Sequence, residues 1–463
     1  MSKNEELRKE LFYQPKHICD CVGEEEIKKA DAFAEGYKSF MSENKTEREI
    51  VSFVSRLAEE NGYAPFDSKA VYHAGDKVIY NNRGKAVILA VIGQKPVEEG
   101  VRIAVAHIDS PRLDLKPNPL YEDTDLALFK THYYGGIKKY QWTAIPLSLH
   151  GVVMKKNGES LTVNIGEDAG DPKFVVTDLL PHLATDQMKR TLSEGVKGEE
   201  LNVLVGSRPF AEDEGSERVK LNILSILNEK YGLIESDFLS AELEIVPAFG
   251  ADDIGFDRGL IGAYGHDDRV CAYPSLMAVL DCGEPAYTAV TVLTDKEEIG
   301  SDGNTGLESE YLSYFLSDLA RMQGCAGRDV MSKSECLSAD VNAAFDPTFP
   351  SVMDKMNASY ANRGIVVTKY TGARGKSGTS DASAEFMGRV RRLFDENGVV
   401  WQIGELGKVD EGGGGTVAKY MARHNIDVVD VGVPVLSMHA PYEVISKLDL
   451  YMAYRAFLTF FTK

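Results

Sequence analysis

The chain has 463 residues, 43% of them hydrophobic, and a formal net charge of -20. That length exceeds what one hydrophobic core usually organises, so two domains are expected. The acidic excess excludes nucleic acid and anionic membrane as partners, because both demand a positive field.

Residues 1–10 hold no apolar signal core, and no apolar run is long enough to span a bilayer, so the expectation is a cytoplasmic protein without membrane contact. The six cysteines form no paired Cys-x-x-Cys knuckles and read as reduced, packed thiols. Thr46-x-x-Glu49 is a capping box opening a helix with Ile50, Phe53, Val54 and Leu57 on one face. Two β-rich runs follow, 86–92 and 101–106, the second entering His107-Ile108-Asp109-Ser110-Pro111. From Lys116 to Leu239 the texture changes to short strand-like pieces (161–164, 173–176), an isolated Gly135-Gly136 and charged loops, which reads as an inserted β-rich module.

Alternation of helix and strand then resumes. Helices are expected near 270–280, 311–322, 381–396, after Gly415 and from Glu443 to Phe460, with strands at 289–293, 337–340, 364–370, 399–403 and within 428–436. Gly412-Gly413-Gly414-Gly415 precedes one of these helices and serves either as an anion-binding turn or as a flexible one. The pattern predicts an α/β fold, a mixed sheet flanked by helices, formed by residues 1–115 and 240–463 around an insert of 116–239.

The polar residues at the strand ends carry the chemistry. Glu297 and Glu298 follow the apolar run 289–293, where unpaired charge is costly and where active sites of open α/β sheets gather. His107, Asp267, Asp340 and His439 occupy similar settings, so two imidazoles and three carboxylates are available with Glu298. That mixed set suits zinc, and also manganese or cobalt. Five ligands are too many for one zinc with an open position, but fit two ions bridged by a carboxylate, and two divalent ions balance three carboxylates and a hydroxide. Side chains alternate along a strand, so one of the paired glutamates can ligate while Glu297 moves the proton of a metal-bound water. Asp109, two positions beyond His107, can hydrogen-bond the imidazole nitrogen that does not face metal. Taken singly, each residue has a plainer reading: a loop histidine, a helix cap at Asp267-Asp268-Arg269, a solvated turn at Lys296-Glu297-Glu298.

Through Ala106-His107-Ile108-Asp109-Ser110-Pro111, Asp267-Asp268, Asp295-Lys296-Glu297-Glu298-Ile299-Gly300-Ser301, Ser338-Ala339-Asp340 and Leu436-Ser437-Met438-His439, the chain resembles the aspartyl aminopeptidase family of two-metal exopeptidases. The resemblance covers essentially the whole chain. It implies that Asp267 bridges the ions, that His107 and Asp340 complete one site and Glu298 and His439 the other, that Glu297 is the general base and that Asp109 orients His107. It also implies a non-proline cis peptide after the bridging aspartate, an insert that pairs subunits, and dimers assembled into a tetrahedral dodecamer acting on peptides. His182, in Leu180-Pro181-His182-Leu183, and Lys369 fall near the family's substrate contacts. Val341-Asn342-Ala343-Ala344-Phe345 and Ser377-Gly378 depart from the aspartyl-preferring pattern, which argues against an acidic substrate preference. Two other functions fit the same residues: a metal-dependent amidohydrolase of acylated amino acids, separable by its indifference to a free α-amine, and a silent assembly protein of the same fold, against which the intact ligand set speaks.

Overall fold

The computed structural model describes residues 3–211 and 213–463; Met1 and Ser2 of the N-terminal segment read above lie outside them. Four strands whose ends carry candidate residues are neighbours. β1 (Arg102–His107), β2 (Ala289–Thr294), β3 (Glu335–Ser338) and β4 (Asp427–Gly432) run parallel in the order β2-β1-β3-β4 at the centre of a nine-stranded sheet. Antiparallel pairing of β2 with Ala86–Val91 and of β4 with Ile365–Thr368 makes the whole sheet mixed. In register, Thr294 lies beside His107, and Ser338 beside both Val105 and Asp430, which brings the carboxyl ends of the parallel strands to one edge.

Every residue of β1 and β2 is buried, because side chains alternate into two cores. Ile103, Val105, Val290 and Val292 face a core that includes Leu312, Phe315 and Leu316 of the helix Tyr311–Met322. Ala104, Ala106 and Leu293 face the larger core, to which α1 (Glu47–Glu60), α2 (His266–Asp281) and α3 (Lys447–Thr462) contribute. The capping box forms as read: Glu49 N–H donates to Thr46 Oγ1 at 3.4 Å and Thr46 N–H to Glu49 Oε2 at 3.0 Å. No described helix is long and apolar enough to cross a membrane.

A second, seven-stranded sheet is held by antiparallel pairs around a core of its own, with Leu113, Phe129, Leu149 and Ile245 at its centre. Its strands Arg112–Asp123 and Ala241–Pro247 pair with each other and carry the chain out of and back to the unit of the nine-stranded sheet, so the second sheet starts before 116 and runs on past 239.

Two expectations change. Residues Glu443–Ser446 are a strand paired with Leu260–Ala263, and α3 begins only at Lys447. Ser446 sets that start, since its Oγ accepts the amides of Leu448 and Asp449 at 3.1 and 3.4 Å. The piece 173–176 contracts to Val175–Val176, with Phe174 joined to Leu147 by an isolated bridge.

Candidate metal centre and active site

His107 closes β1 with its ring buried. Nδ1 donates to the Asp109 carbonyl oxygen at 3.0 Å, with the Asp109 carboxylate at 3.4 Å, so Nε2 faces the cluster, 3.1 Å from Asp267 Oδ1. Asp267 stands at the start of α2, where the backbone is not yet helical and the Asp267-Asp268 peptide is cis, as the resemblance implies. Its other oxygen, Oδ2, lies 3.2 Å from His439 Nε2. His439 aims that nitrogen by donating from Nδ1 to the Gly136 carbonyl oxygen at 2.8 Å. One carboxylate therefore presents one oxygen to each imidazole.

β2 ends at Thr294, and Glu297–Ile299 form a short 3-10 turn entered through Lys296 at φ +67°. The turn frees both glutamates from strand alternation. Glu298 Oε2 lies 3.6 Å from His439 Nε2, and Glu297 Oε2 3.9 Å from His107 Nε2. Ligand atoms of His107, Asp268 and Asp340 come within 4.8 Å of one another, as do those of His107, Asp267 and Glu298. Asp109 has a wider task than orienting His107: its carboxylate accepts the amides of Glu297 and Glu298 at 3.1 and 3.2 Å and the Tyr134 hydroxyl at 2.7 Å.

The electrostatics show a set of donors short of positive charge. Burial, aided by Asp109 and Asp267, pushes Glu297 up to about 7, and burial with neighbouring carboxylates holds Glu298 and Asp340 well above the usual range. Burial alone would lower both imidazoles, yet their carboxylate partners raise His107 well above its ordinary value and His439 to about 10. Asp268 Oδ1 and Oδ2 and Glu298 Oε1 are buried without a hydrogen-bond partner among the described residues. Such atoms are costly unless a cation meets them, and a nitrogen and oxygen donor set of this kind fits zinc.

A cavity of about 380 Å³ opens over the cluster, bounded by Asp340, Asn342, Thr368, Thr371, Asp430 and the glycines 413–415. Gly413 holds φ +113°, and a Cβ there would run into the Gly372 carbonyl oxygen, so the run forms a shaped wall of the cavity. The Lys369 ammonium pairs with Asp381, and Lys369 directly follows Thr368 of the cavity wall. His182 is exposed on a loop of the seven-stranded unit, away from this chain's own cavity.

Three contributors were not singled out from sequence. Gly136, from the loop after the strand Leu126–Tyr134, holds His439, and its only sequence signal is the isolated Gly135-Gly136 pair. Asp268 joins the cluster with a ligand oxygen within 4.8 Å of those of His107 and Asp340. Glu443 is buried beneath the site and is pushed up to about 8 by burial and Asp267; it accepts the amides of Asp267 at 3.0 Å and His439 at 2.6 Å.

The chain is similar to proteins of one known family. The family described as aminopeptidase I zinc metalloprotease (M18) matches residues 40–461. A probable M18 family aminopeptidase 1 from Clostridium acetobutylicum is 48% identical over 460 residues, covering 97% of this chain and 99% of the relative. The crystal structure of the M18 aminopeptidase from Thermotoga maritima superposes with a TM-score of 0.94 at 45% identity, covering 98% of this chain and 100% of that one. The S. cerevisiae mApe1 dodecamer shares the fold, with a TM-score of 0.76 at 21% identity over 94% of this chain and 97% of its own. The family match spans most of the chain and the Clostridium relative is 48% identical over nearly all of it, and on that ground the chain belongs to the aminopeptidase I zinc metalloproteases (M18) and is a metal-dependent aminopeptidase.

Proposed function

We propose that the centre holds two divalent ions, zinc before manganese or cobalt, and removes N-terminal residues from peptides. The observation that carries this reading is Asp267, whose two oxygens each face a different imidazole. His107 and Asp340 would hold one ion with Asp267, and Glu298 and His439 the other. Bound there, the ions supply the charge that polarises a scissile carbonyl and acidifies a water.

The chain's own residues do the rest. Glu297 Oε2 stands 3.9 Å from His107 Nε2 with no hydrogen bond to its carboxylate among the described residues, so it takes the proton from the attacking water and returns it to the leaving amine. Asp109 fixes His107 and the Glu297-Glu298 turn together. The cavity wall of Asn342, Thr368 and Thr371 receives the N-terminal residue. The seven-stranded unit, bounded near 116 and 239, pairs subunits, and its His182 loop reaches a neighbouring active site. Dimers assemble further into a tetrahedral dodecamer, a count of twelve that the mApe1 dodecamer supports, and the assembly acts in the cytoplasm.

Metal analysis tests the core of this reading. The loaded protein should carry two ions per chain, Asp340→Ala and His439→Ala should each lose one, and a wild-type stoichiometry of one would overturn it. Peptides with a free α-amine should be cleaved and their N-acetylated forms left intact. Light scattering checks the assembly.

A further inference from the structure

The ligands sit on five separate chain segments, and two buried carboxylates tie four of those segments in pairs. Asp109 joins the end of β1, with His107, to the Glu297-Glu298 turn. Glu443 does the same for the other pair: Oε2 accepts the Asp267 amide at 3.0 Å and Oε1 the His439 amide at 2.6 Å. Its strand, Glu443–Ser446, is paired with Leu260–Ala263, which leads directly into Asp267, and Glu443 lies beside Ala263. The Glu443 side chain thus stands between the segment entering Asp267 and the loop carrying His439.

Hydrogen-bond chemistry says why a glutamate is needed. Two amides converge on one buried group, one on each oxygen, so that group must offer two acceptor atoms, which a carboxyl group does and a carboxamide does not. A glutamine would keep one acceptor and turn its own N–H₂ toward the second amide. The His439 loop needs such a tether: Ser437 and His439 hold φ at +58° and +64°, a region that side-chain-bearing residues occupy only when their surroundings impose it.

We propose that Glu443 is a positioning residue that fixes Asp267 and His439 relative to each other, and so governs the affinity of the ion placed with Asp267, Glu298 and His439. The inference rests on the two-ion reading above. In that reading Glu443 touches neither ion nor substrate and acts only through the backbones of two ligands. The other ion, with His107 and Asp340, shares only Asp267 with this tether and should be affected less.

The test is zinc binding by the full-length protein, measured by competition with a chromophoric chelator, for wild type, Glu443→Gln and Glu443→Ala, alongside thermal unfolding of the metal-free proteins. We expect one of the two ions to bind 10–100-fold more weakly in Glu443→Gln, with Glu443→Ala at least as weak. The other ion should stay within a few-fold of wild type, metal-free unfolding temperatures should hold, and excess zinc should restore turnover. A folded Glu443→Gln that binds both ions as wild type does overturns the proposal. So does failure of both variants to fold, since the residue is then structural. Wild-type protein that binds a single ion would fail the two-ion reading itself, a result visible before any variant is made.

Discussion

Two clusters of buried charge meet at Asp109 and are balanced in different ways. On one side Glu47, Glu244 and Asp295 gather around Arg112 and Lys85 at separations of 3.3 to 3.7 Å. On the other, Asp267, Asp268, Glu297, Glu298 and Asp340 have His107 and His439 as their basic neighbours, and among the described residues no lysine or arginine pairs with them. Tyr134 joins the two, donating to Asp109 at 2.7 Å beneath the Arg112 guanidinium, which lies 3.9 Å from its ring. Buried carboxylates alone therefore do not mark a site. The mark is a set whose positive charge the chain does not itself supply.

The largest effect is expected from Glu297→Gln, which removes a charge from the undercompensated cluster without removing a proposed ligand. Turnover should fall by about 10²–10⁴-fold, the usual worth of a general base, with metal content unchanged by elemental analysis. Loss of metal instead would show that Glu297 is a ligand and that the two glutamates exchange roles.

Arg112→Met probes the other cluster. It leaves Glu47 and Glu244 buried without their guanidinium, and removing one partner of a buried pair costs about 3–5 kcal/mol. Urea unfolding of the metal-loaded protein should register that loss while two ions per chain remain bound. If metal is lost and stability holds, the contrast between the clusters is mistaken.

How much of this contrast was legible in the sequence depended on where each residue stands. His107, Glu298 and Asp340 follow apolar strand-like runs, and a charged group there is conspicuous against its neighbours. Glu443 carries no such signal, because it begins a run that reads as the opening turn of a helix and acts through backbone amides that a pattern of side chains does not reveal. Gly136 lies in the loop after a strand of the seven-stranded sheet, and its contact with His439 spans 303 residues. Lys369 follows the strand Ile365–Thr368 near the cavity, and Asp381, at the approach to the helix Ala384–Glu396, holds its ammonium. The α/β alternation was readable almost throughout, since both faces of the central strands are buried. Strand 443–446 was missed because its partner, Leu260–Ala263, is far away in sequence.

Tyr134→Phe asks whether the two clusters act as one. The change removes a hydrogen bond to a charged group, worth about 1.5–3 kcal/mol, and leaves every proposed ligand in place. A loss in urea unfolding of that size, with turnover reduced less than in Glu297→Gln, is the result expected if Asp109 is the seam between them. A turnover loss matching Glu297→Gln would mean that the seam is itself part of the catalytic machinery, and no loss of either kind would make the clusters independent.

The smallest effect is expected at a third charged group, whose cation can be removed by pH alone. His150, on the seven-stranded sheet, donates from Nδ1 to Glu49 of α1 at 2.7 Å and from Nε2 to Glu167 at 3.1 Å. Burial would lower its pKa, but the two carboxylates outweigh burial and raise it. A group whose folded pKa lies above its unfolded value contributes stability in full below the unfolded pKa, about 6.5 for histidine, and loses it as pH rises through the folded value. Glu49 and Glu167 are held below their ordinary values despite burial, so their share is lost on acidification instead. The stability difference between wild type and His150→Gln should therefore be greatest between about pH 5 and 6.5 and shrink toward pH 9 in thermal unfolding. A difference that does not vary with pH would show His150 to be neutral in the folded protein. The joint between α1 and the second sheet would then rest on neutral hydrogen bonds, and the contrast would narrow to fixed cations on one side of Asp109 and bound ions on the other.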